Sequence, residues 1–576
     1  MKNQQLFIFL TLLLLSLLVR FNLGNLPFLT GKYIYWLFIT LIGSVVFLFQ
    51  NHNRKWELNQ FDICILILFF GGLLNFVYLS NASVFNLKVW HFSAYLLLYI
   101  ILRRSLCGKE KISEISKKIY YLLLLVATLN SAIAILQESK LLSSSNEYFQ
   151  VTGLFFSPNH LALFLAIGIL SLIELTQEVK SRLSKVLLFI CFPILAYGLY
   201  LSKCRGAFVA LIVAMLFNLN TSKREIRELI FSKKLLYASA IVSCFFIMIW
   251  NTNTFKSQSA SGRMFIAKHS LIQLKDRLLT GYGFDSFSLQ YNLTKADYFS
   301  VQRPWEETRN ASYLYNANND FLELGFELGM IWIAIFCIFI IMLFIKSKHN
   351  NITKACSSIL LCIIIFAFTN TILPVPLFAV LGCIFTVVII NESQIKPVLS
   401  FKQNYFSAII TTIFIATFSS IIALRLNAEY KLKKIFNQEE IAGLKKTENY
   451  VTKIDANGEQ LFMAGIIFMK NNNPEEGLRY LTNGFNQSGK PTLGKNLAKL
   501  FERMGNYDKA EEIYIYNKNV EPFRFNARID LFNLYQKTNQ RGKAREIAKE
   551  ILYLPIKIPS KEIESFKEKA KNYLKN

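Results

Sequence analysis

Long apolar stretches dominate this chain of 576 residues. Hydrophobic residues make up 53% of it and charged residues only 18%, whereas a soluble domain carries about 25% charge. Stretches of roughly 17–25 apolar residues can cross a bilayer, and about thirteen occur here. Their centres lie near Leu13, Leu41, Phe70, Leu97, Val126, Ile167, Phe192, Val213, Cys244, Ile335, Ile364, Cys383 and Ile415. The sequence therefore predicts an all-α, polytopic membrane bundle of about 12–13 spans.

The net charge of +26 follows from where the cations lie between these spans. If the N-terminus is cytoplasmic, it and the inner connections hold 22 Lys and Arg residues, against six in the short outer connections. Cations are enriched in the cytoplasmic loops of membrane proteins. The excess of cations is therefore explained by membrane orientation and by contact with membrane lipid. No nucleic acid is needed to explain it.

Two long polar regions remain, and the same count places both outside. The first runs over residues 251–320, and the second is a C-terminal domain over residues 427–576. The second faces outward only if the span near Ile415 exists. Neither region contains a cysteine, so we expect no disulfide framework and no cysteine metal site there.

The C-terminal domain has the spacing of a helical repeat. Small, aromatic, small, aromatic and proline residues follow one another as in a tetratricopeptide unit of 34 residues, at Ala498, Phe501, Ala510, Tyr514 and Pro522. Two to three units are predicted, of which only the middle one is well formed, since Phe532 is too large for its position. Generic amphipathic helices are the alternative. Either arrangement is better suited to binding a protein partner than to catalysis.

The first candidate for chemistry is a pair of cations in a short outer turn. Lys203 and Arg205 lie where the orientation rule disfavours them, and Gly206 follows. An arginine fork binds phosphate oxygens in pairs, and glycine permits close approach. An anion site is the functional interpretation, whereas contact with lipid headgroups is the alternative.

The long outer region supplies the second candidate. Gly262-Arg263 opens it, His269 follows, and Gly281-Tyr282-Gly283 forms a turn. Apolar positions over residues 263–279 predict an amphipathic helix on the membrane surface or over the bundle. A solvated arginine is the simpler interpretation of Arg263.

Acids at the outer end of the tenth span form the third candidate. Asp320, Glu323 and Glu327 have the spacing of one helix face. Acids also favour any helix N-terminus, which is the simpler explanation. A buried carboxylate facing a glycan could instead accept its hydroxyls or act as a base. Asn159 and His160, which open the sixth span after Pro158, would face the same outer cavity as Arg205.

Together these segments resemble one family. Four motifs occur in a fixed order, namely Thr-Gly-x-Phe-x-x-Pro-Asn (152–159), Ser-x-x-Arg-Gly (202–206), Gly-Arg (262–263) and Asn-Asp-Phe-Leu-Glu-x-x-x-Glu-x-Gly (319–329). Their order and the long outer loop resemble the O-antigen ligase superfamily, which includes O-antigen polymerases and O-oligosaccharyltransferases. The resemblance covers roughly residues 1–425, and its specific part covers residues 151–329.

The resemblance implies a reaction and a place for it. Family members transfer a glycan from undecaprenyl diphosphate to an acceptor at the periplasmic face of the bacterial inner membrane, with inversion and without a metal or other cofactor. The acceptor is lipid A core, a protein or another glycan chain. Arg205 and Arg263 match family arginines thought to hold the diphosphate, and Lys203 lies beside them.

This chain departs from the family at Asn318. Family members usually have Ala-His-Asn there, and that histidine is a candidate base, whereas this chain has Ala317-Asn318-Asn319. Asn cannot accept the proton. Glu323, Asp320 or His269 could replace the base, positioning and the diphosphate leaving group could suffice, or the protein could bind glycan without turnover.

Motifs that the sequence lacks argue against other classes of protein. The sequence contains no Asp-x-Asp and no Gly-x-x-x-x-Gly-Lys-Ser/Thr phosphate loop, which disfavours metal-dependent transferases and NTP-driven pumps. A transporter of lipid-linked glycan should have midplane charges or broken helices in symmetric halves, and we expect neither. A membrane-tethered scaffold acting through the repeats is a third possibility.

Overall fold

The computed structural model describes residues 7, 10–14, 55–79, 87–106, 109–144, 146–178, 181–220, 257–346, 350–373, 375–402, 405–437, 444–454 and 456–575. The predicted spans near Leu41 and Cys244 lie outside these residues.

Helices make up nearly all of the part that can be described. In chain order they are α1 (Gln60–Leu79), α2 (Leu87–Ser105), α3 (Lys109–Glu138), α4 (Pro158–Glu178), α5 (Arg182–Leu201), α6 (Arg205–Asn220), α7 (Ser257–Leu274), α8 (Phe287–Tyr298), α9 (Trp305–Thr308), α10 (Asp320–Lys346), α11 (Asn351–Ala367), α12 (Pro376–Glu392) and α13 (Tyr405–Phe436). By length and composition, α1, α3, α4 and α10 can cross a membrane, and apolar segments of α5, α6, α11 and α12 are shorter. The prediction of an all-α, multi-pass membrane protein is confirmed.

The connections predicted on the inner side contact one another. Strand β1 (Lys55–Leu58) pairs antiparallel with β2 (Leu399–Lys402), and Lys55 lies opposite Lys402. Nearby, the Asn350 side chain donates to the Glu392 carboxylate at 2.7 Å. Segments that the charge count assigned to one side therefore meet at one end of the bundle.

A buried carboxylate ties α1 to α2 near this end. Asp62 is 2% exposed, and its carboxylate accepts from the Arg103 guanidinium at 3.0 Å and from the Tyr99 hydroxyl at 2.5 Å. Its second oxygen accepts from the backbone N–H of Asn59 at 2.8 Å. An unpaired charge at this depth would be costly, so the network fixes how the two helices pack.

At the opposite end, α10 is interrupted at Gly329, whose φ of 83° and ψ of 169° are not helical. Residues 278–284 fill the interruption. The backbone N–H groups of Tyr282 and Gly283 donate at 2.9 and 3.0 Å to the carbonyls three and two residues before Gly329. Carbonyls at a helix end need such partners, so the loop completes the hydrogen bonding of the broken helix.

The glycines of this region are required by the closeness of the two backbones. A Cβ atom on Gly281 (φ 70°) would lie 2.4 Å from the Glu327 carbonyl oxygen, and one on Gly329 would lie 2.0 Å from the Leu279 carbonyl oxygen. Any other residue would therefore clash with backbone and adopt a left-handed conformation that L side chains disfavour. The Gly-Tyr-Gly turn predicted from the sequence is thus a docking element for α10.

The break in α10 was not predicted from the sequence. Apolar periodicity cannot register this break, because a segment about forty-five residues earlier in the chain supplies the missing hydrogen bonds. The break is filled by protein backbone.

Helix α13 links the two ends of the bundle. It begins three residues after β2 and extends for 32 residues, or about 48 Å, which is enough to cross a bilayer. Phe418 packs edge to face on Trp90, near the start of α2, with ring centroids 4.8 Å apart. The helix then leaves the bundle and packs against the C-terminal domain.

The C-terminal domain consists of antiparallel helix pairs. They are α14 (Leu444–Ile454), α15 (Gly458–Lys470) with α16 (Pro474–Ser488), α17 (Pro491–Arg503) with α18 (Tyr507–Val520), α19 (Asn526–Lys537) with α20 (Arg541–Tyr553), and α21 (Lys561–Lys575). Ala498, Phe501, Ala510 and Tyr514, which carry the repeat pattern, are all buried in its core. Phe532 is fully buried and packs edge to face on Tyr573 at 5.0 Å, so the core has room for this larger residue.

Replacing Gly329 with alanine should destabilise the membrane domain. The new Cβ would meet the Leu279 carbonyl at 2.0 Å in a disfavoured conformation, which should cost at least about 2 kcal/mol. Gly382→Ala in α12 is the matched control, because no atom lies within 4 Å of its Cβ position and alanine favours helices. Denaturant unfolding in detergent measures both, and equal stabilities would contradict the docking role of residues 278–284.

Candidate functional site

The connection between α11 and α12 is the point on which the predicted site segments converge. Asn370 lies in it and is 5% exposed. Its carboxamide oxygen accepts from the Asn159 side chain at 2.9 Å and from the Arg263 guanidinium at 3.4 Å. Its amide group donates to the Thr369 hydroxyl at 3.0 Å. One buried amide therefore joins the start of α4 to α7.

The start of α6 approaches the same connection. A Cβ atom on Gly206 would lie 2.7 Å from the Thr369 hydroxyl oxygen and 3.2 Å from the Asn370 amide nitrogen, so glycine is needed for this contact. Arg205 is the first residue of α6 and is exposed, as is Lys203, whose φ is 52°. Helix N-termini and cations both favour anions, so the turn is suited to a phosphate group.

His160 and Asp320 hold the rest of the α11–α12 connection. The Nε2 atom of His160 lies 3.1 Å from the Thr371 carbonyl oxygen. The Asp320 carboxylate accepts from the backbone N–H groups of Ile372 and Leu373 at 2.8 and 3.2 Å. Asp320 thus caps a turn that carries no charge of its own.

The other two acids of the predicted face point to a lysine. Lys88 Nζ lies 2.7 Å from a Glu327 carboxylate oxygen, 3.1 Å from one of Glu323 and 3.8 Å from one of Asp285. The Glu327 side chain is 1% exposed and that of Glu323 is 11% exposed. The second oxygen of Glu323 accepts from the Ala317 N–H at 3.1 Å. Asp320 therefore faces the α11–α12 connection, whereas Glu323 and Glu327 face α2.

Asn318 lies just before these acids and is exposed. Its φ of 52° is left-handed, a conformation in which Asn and His are both enriched. Its N–H donates to the Asn316 side-chain oxygen at 3.3 Å, and that oxygen also accepts from the Thr371 hydroxyl at 3.2 Å. The position at which the family has histidine is therefore linked by hydrogen bonds to the converging connection.

His269 has a different environment. Its ring packs between Phe265 and Tyr298, with centroids 4.3 and 4.4 Å away, and its Nε2 atom is buried without a hydrogen-bond partner. Burial lowers the pKa of His269, which Glu307 partly opposes. The Glu307 carboxylate itself accepts from the Tyr298 hydroxyl at 2.5 Å, which lowers the pKa of Glu307. These contacts suit a neutral packing residue of the outer region.

Sequence reasoning missed Asn370, Thr371 and the role of Lys88. A weak signal was present, because Thr369-Asn370-Thr371 is a polar run between two apolar spans. Lys88 was counted only as an outer cation. None of these three residues could be placed in the site before the contacts of α4, α7 and α10 were known.

The arrangement can hold an anion and orient groups around it. Arg263, Arg205 and Lys203 provide positive charge next to a buried polar connection, as phosphate recognition requires. Within the described ranges, no group of three or more His, Cys, Asp or Glu side chains is arranged to hold a metal ion.

Removing the charge of Lys88 should destabilise the outer end of the bundle. Lys88→Met leaves the buried Glu327 and Glu323 without their cation, which should cost about 3 kcal/mol. Lys118→Met is the control, because its partner Glu114 is 47% exposed and such pairs contribute less than about 1 kcal/mol. Denaturant unfolding in detergent compares the two variants. Equal losses of stability would mean that the cluster formed by Lys88, Asp285, Glu323 and Glu327 (the Lys88 cluster) contributes no more than a surface pair.

Comparison with known proteins finds one family model that matches part of this chain. Residues 187–337 match a protein-family model described as O-Antigen ligase. The match runs from α5 into α10, so it contains Arg205, Arg263 and the acids of the Lys88 cluster. No curated protein matches the chain. The match supports a ligase- or polymerase-like role in surface polysaccharide synthesis, in which the substrates are in general a lipid-linked glycan and a glycan acceptor. By this match and its multi-pass helical fold, the chain is similar over residues 187–337 to proteins of the O-antigen ligase superfamily.

Proposed function

We propose that this protein transfers a glycan from undecaprenyl diphosphate to an acceptor at the periplasmic face of the bacterial inner membrane. The observation that carries the proposal is the convergence of α4, α6, α7 and α10 on the α11–α12 connection around Asn370. All four contributions come from segments with family motifs. They bring cations and neutral hydrogen-bonding groups together at the end of the bundle that carries the long outer region.

The cations hold the diphosphate in this proposal. Breaking the bond between the sugar and the diphosphate leaves negative charge on the departing oxygen, and fixed cations stabilise that charge without reorganising. Arg263 is oriented by Asn370, which Asn159 holds in turn. Arg205 and Lys203 lie at the α6 turn, which Gly206 allows to approach the same connection. No metal is required for this role.

The acids act by positioning in this proposal. Both oxygens of Glu323 are engaged, one by Lys88 and the other by the Ala317 N–H, and Asp320 receives two backbone N–H groups. These contacts orient the two carboxylates toward Lys88 and the protein's own backbone and not toward an acceptor. The contacts of His269 with Phe265 and Tyr298 likewise suit packing. Positioning of the acceptor and a good leaving group therefore replace the missing histidine. The acceptor hydroxyl oxygen attacks the sugar carbon from the side opposite the diphosphate, the bond between that carbon and the diphosphate oxygen breaks with inversion, and the hydroxyl proton passes to the departing diphosphate.

The variants of this proposal differ in the acceptor that receives the glycan. A ligase acts on lipid A core, an O-oligosaccharyltransferase on a protein, and a polymerase on another glycan chain. We favour a ligase-type reaction, with the C-terminal domain on the periplasmic side, where its helix pairs could also bind a protein partner. If the protein binds the glycan without turnover, the experiments below will detect no glycan transfer.

The competing class is a transporter of lipid-linked glycan. The broken helix α10 is the observation in its favour, because transporters bind substrates at such breaks. Here the carbonyls before the break are occupied by the N–H groups of Tyr282 and Gly283, which favours a docking role.

Replacing Arg205 or Arg263 with alanine should each slow glycan transfer by about 10²-fold or more, because a charge that stabilises the leaving group is lost. Initial rates with purified protein and lipid-linked donor measure the effect. Arg277→Ala, an exposed arginine stacked on Tyr282, is the matched control and should keep its rate. Unchanged rates in both site variants would refute the proposed diphosphate site, and movement of the donor across vesicles without transfer would favour the transporter.

Asn318→His should raise the rate of transfer. Histidine tolerates the left-handed conformation of residue 318 and would add a base, which contributes about 10²-fold in favourable cases. Because only neutral imidazole accepts a proton, the gain should appear as pH rises through about 6.5. Asn318→Gly, which fits the same backbone without a base, should show no such gain. His269→Phe should retain the original rate, and a large loss there would identify His269 as the base.

A further inference from the structure

The C-terminal domain contacts the segment that leads into the site. This segment is residues 312–319, which immediately precede α10. The Tyr313 hydroxyl donates to the Ser488 carbonyl at 2.6 Å, at the end of α16. The Lys490 ammonium lies over the Tyr315 ring, 5.4 Å from its centroid. The turn between α16 and α17 therefore holds two side chains of the 312–319 segment.

Helix α8 holds the same segment from the other side. The Asn292 side chain donates to the Leu314 carbonyl at 2.7 Å and accepts from the Leu314 N–H at 3.2 Å. The Ser288 hydroxyl donates to the same carbonyl at 3.0 Å, and the Lys295 ammonium donates to the Ser312 carbonyl. Asn292 is fully buried, so its side chain is fixed in place to hold the Leu314 backbone.

Helix α8 itself rests on the C-terminal domain. A Cβ atom on Gly489 would lie 3.5 Å from the Leu289 side chain, which marks van der Waals contact between α8 and the α16–α17 turn. Lys295 is 2% exposed, and burial lowers its pKa to about 7, an effect opposed by the charge of Glu521 at the end of α18. An acid of the C-terminal domain thus helps α8 to keep a buried lysine charged.

The far end of the segment reaches the proposed transfer site. The side chain of Asn316 accepts from the Thr371 hydroxyl, and the Ala317 N–H donates to Glu323. Only three residues, or about 11 Å of extended chain, separate Asn316 from Tyr313. A displacement at Tyr313 would therefore move the backbone that carries Asn316, Ala317 and Asn318.

We propose that the C-terminal domain is a positioning element of the transfer site, acting by holding the 312–319 segment against α8. This inference rests on the proposed function. It assigns Tyr313 a positioning role, since Tyr313 contacts Ser488 and Ser288 and acts on the site through Asn316 and Ala317. The domain is then part of the catalytic unit in addition to any partner that its helices bind.

The test compares Tyr313→Phe and Tyr313→Ala with Tyr553→Phe in the full-length protein. Tyr313→Phe removes only the hydroxyl that donates to Ser488, and Tyr553 is a 77% exposed tyrosine of the C-terminal domain. Two quantities are measured, namely hydrogen–deuterium exchange of residues 312–319 and the dependence of transfer rate on donor concentration.

We expect faster exchange in residues 312–319 for both Tyr313 variants, with Ala exceeding Phe, and a several-fold lower kcat at an unchanged KM for the donor. Tyr553→Phe should match the unaltered protein. Faster exchange with unchanged kcat, or no change in either quantity, would overturn the inference. Arg263→Ala, measured in parallel, tests the proposed function separately, because it should reduce transfer without changing exchange in the 312–319 segment.

Discussion

The end of the bundle that is predicted to face outward depends on one buried polar connection between two apolar helices. A chain that turns back inside a membrane protein must satisfy its backbone and side-chain hydrogen bonds internally, because lipid offers none. Asn370 and its neighbours obtain these partners from α4, α7 and α10. The requirement to satisfy the turn is what draws Arg263, His160 and Asp320 to one place. The proposed diphosphate site is thus built on a structural necessity.

The same requirement explains the broken helix. Interrupting α10 at Gly329 frees carbonyls that residues 278–284 then occupy, so the outer region is fastened to the bundle by backbone hydrogen bonds. Lys88 fastens α10 to α2 through two buried carboxylates. The attraction between Lys88 and these carboxylates offsets the cost of burying their charges, provided that all three groups are present. These two fastenings fix the start of α10, which carries the acids of the family motif.

The C-terminal domain adds a third layer of support. Its α16–α17 turn and the end of α18 contact α8 and residues 312–319, so the outer region lies between the C-terminal helix pairs and the bundle. A domain that only recruited partners would not need these buried contacts. The tetratricopeptide assignment stays a prediction, although the small and aromatic positions that suggested it form the core of paired helices. Phe532 shows that a volume mismatch in a repeat pattern can be absorbed by local packing.

Apolar length determined the helical membrane fold, and the distribution of cations predicts a side for each connection, because these depend on transfer to lipid and not on which helices touch. Motif order also made Arg205, Arg263 and the acids of α10 candidate site residues. Only the tertiary structure decided that Asp320 turns toward Ile372 while Glu323 turns toward Lys88, that α10 breaks at Gly329, and that Asn370 joins the segments. The physical reason is that each of these features is a hydrogen bond or ion pair between residues far apart in the chain, and local periodicity carries no information about such partners.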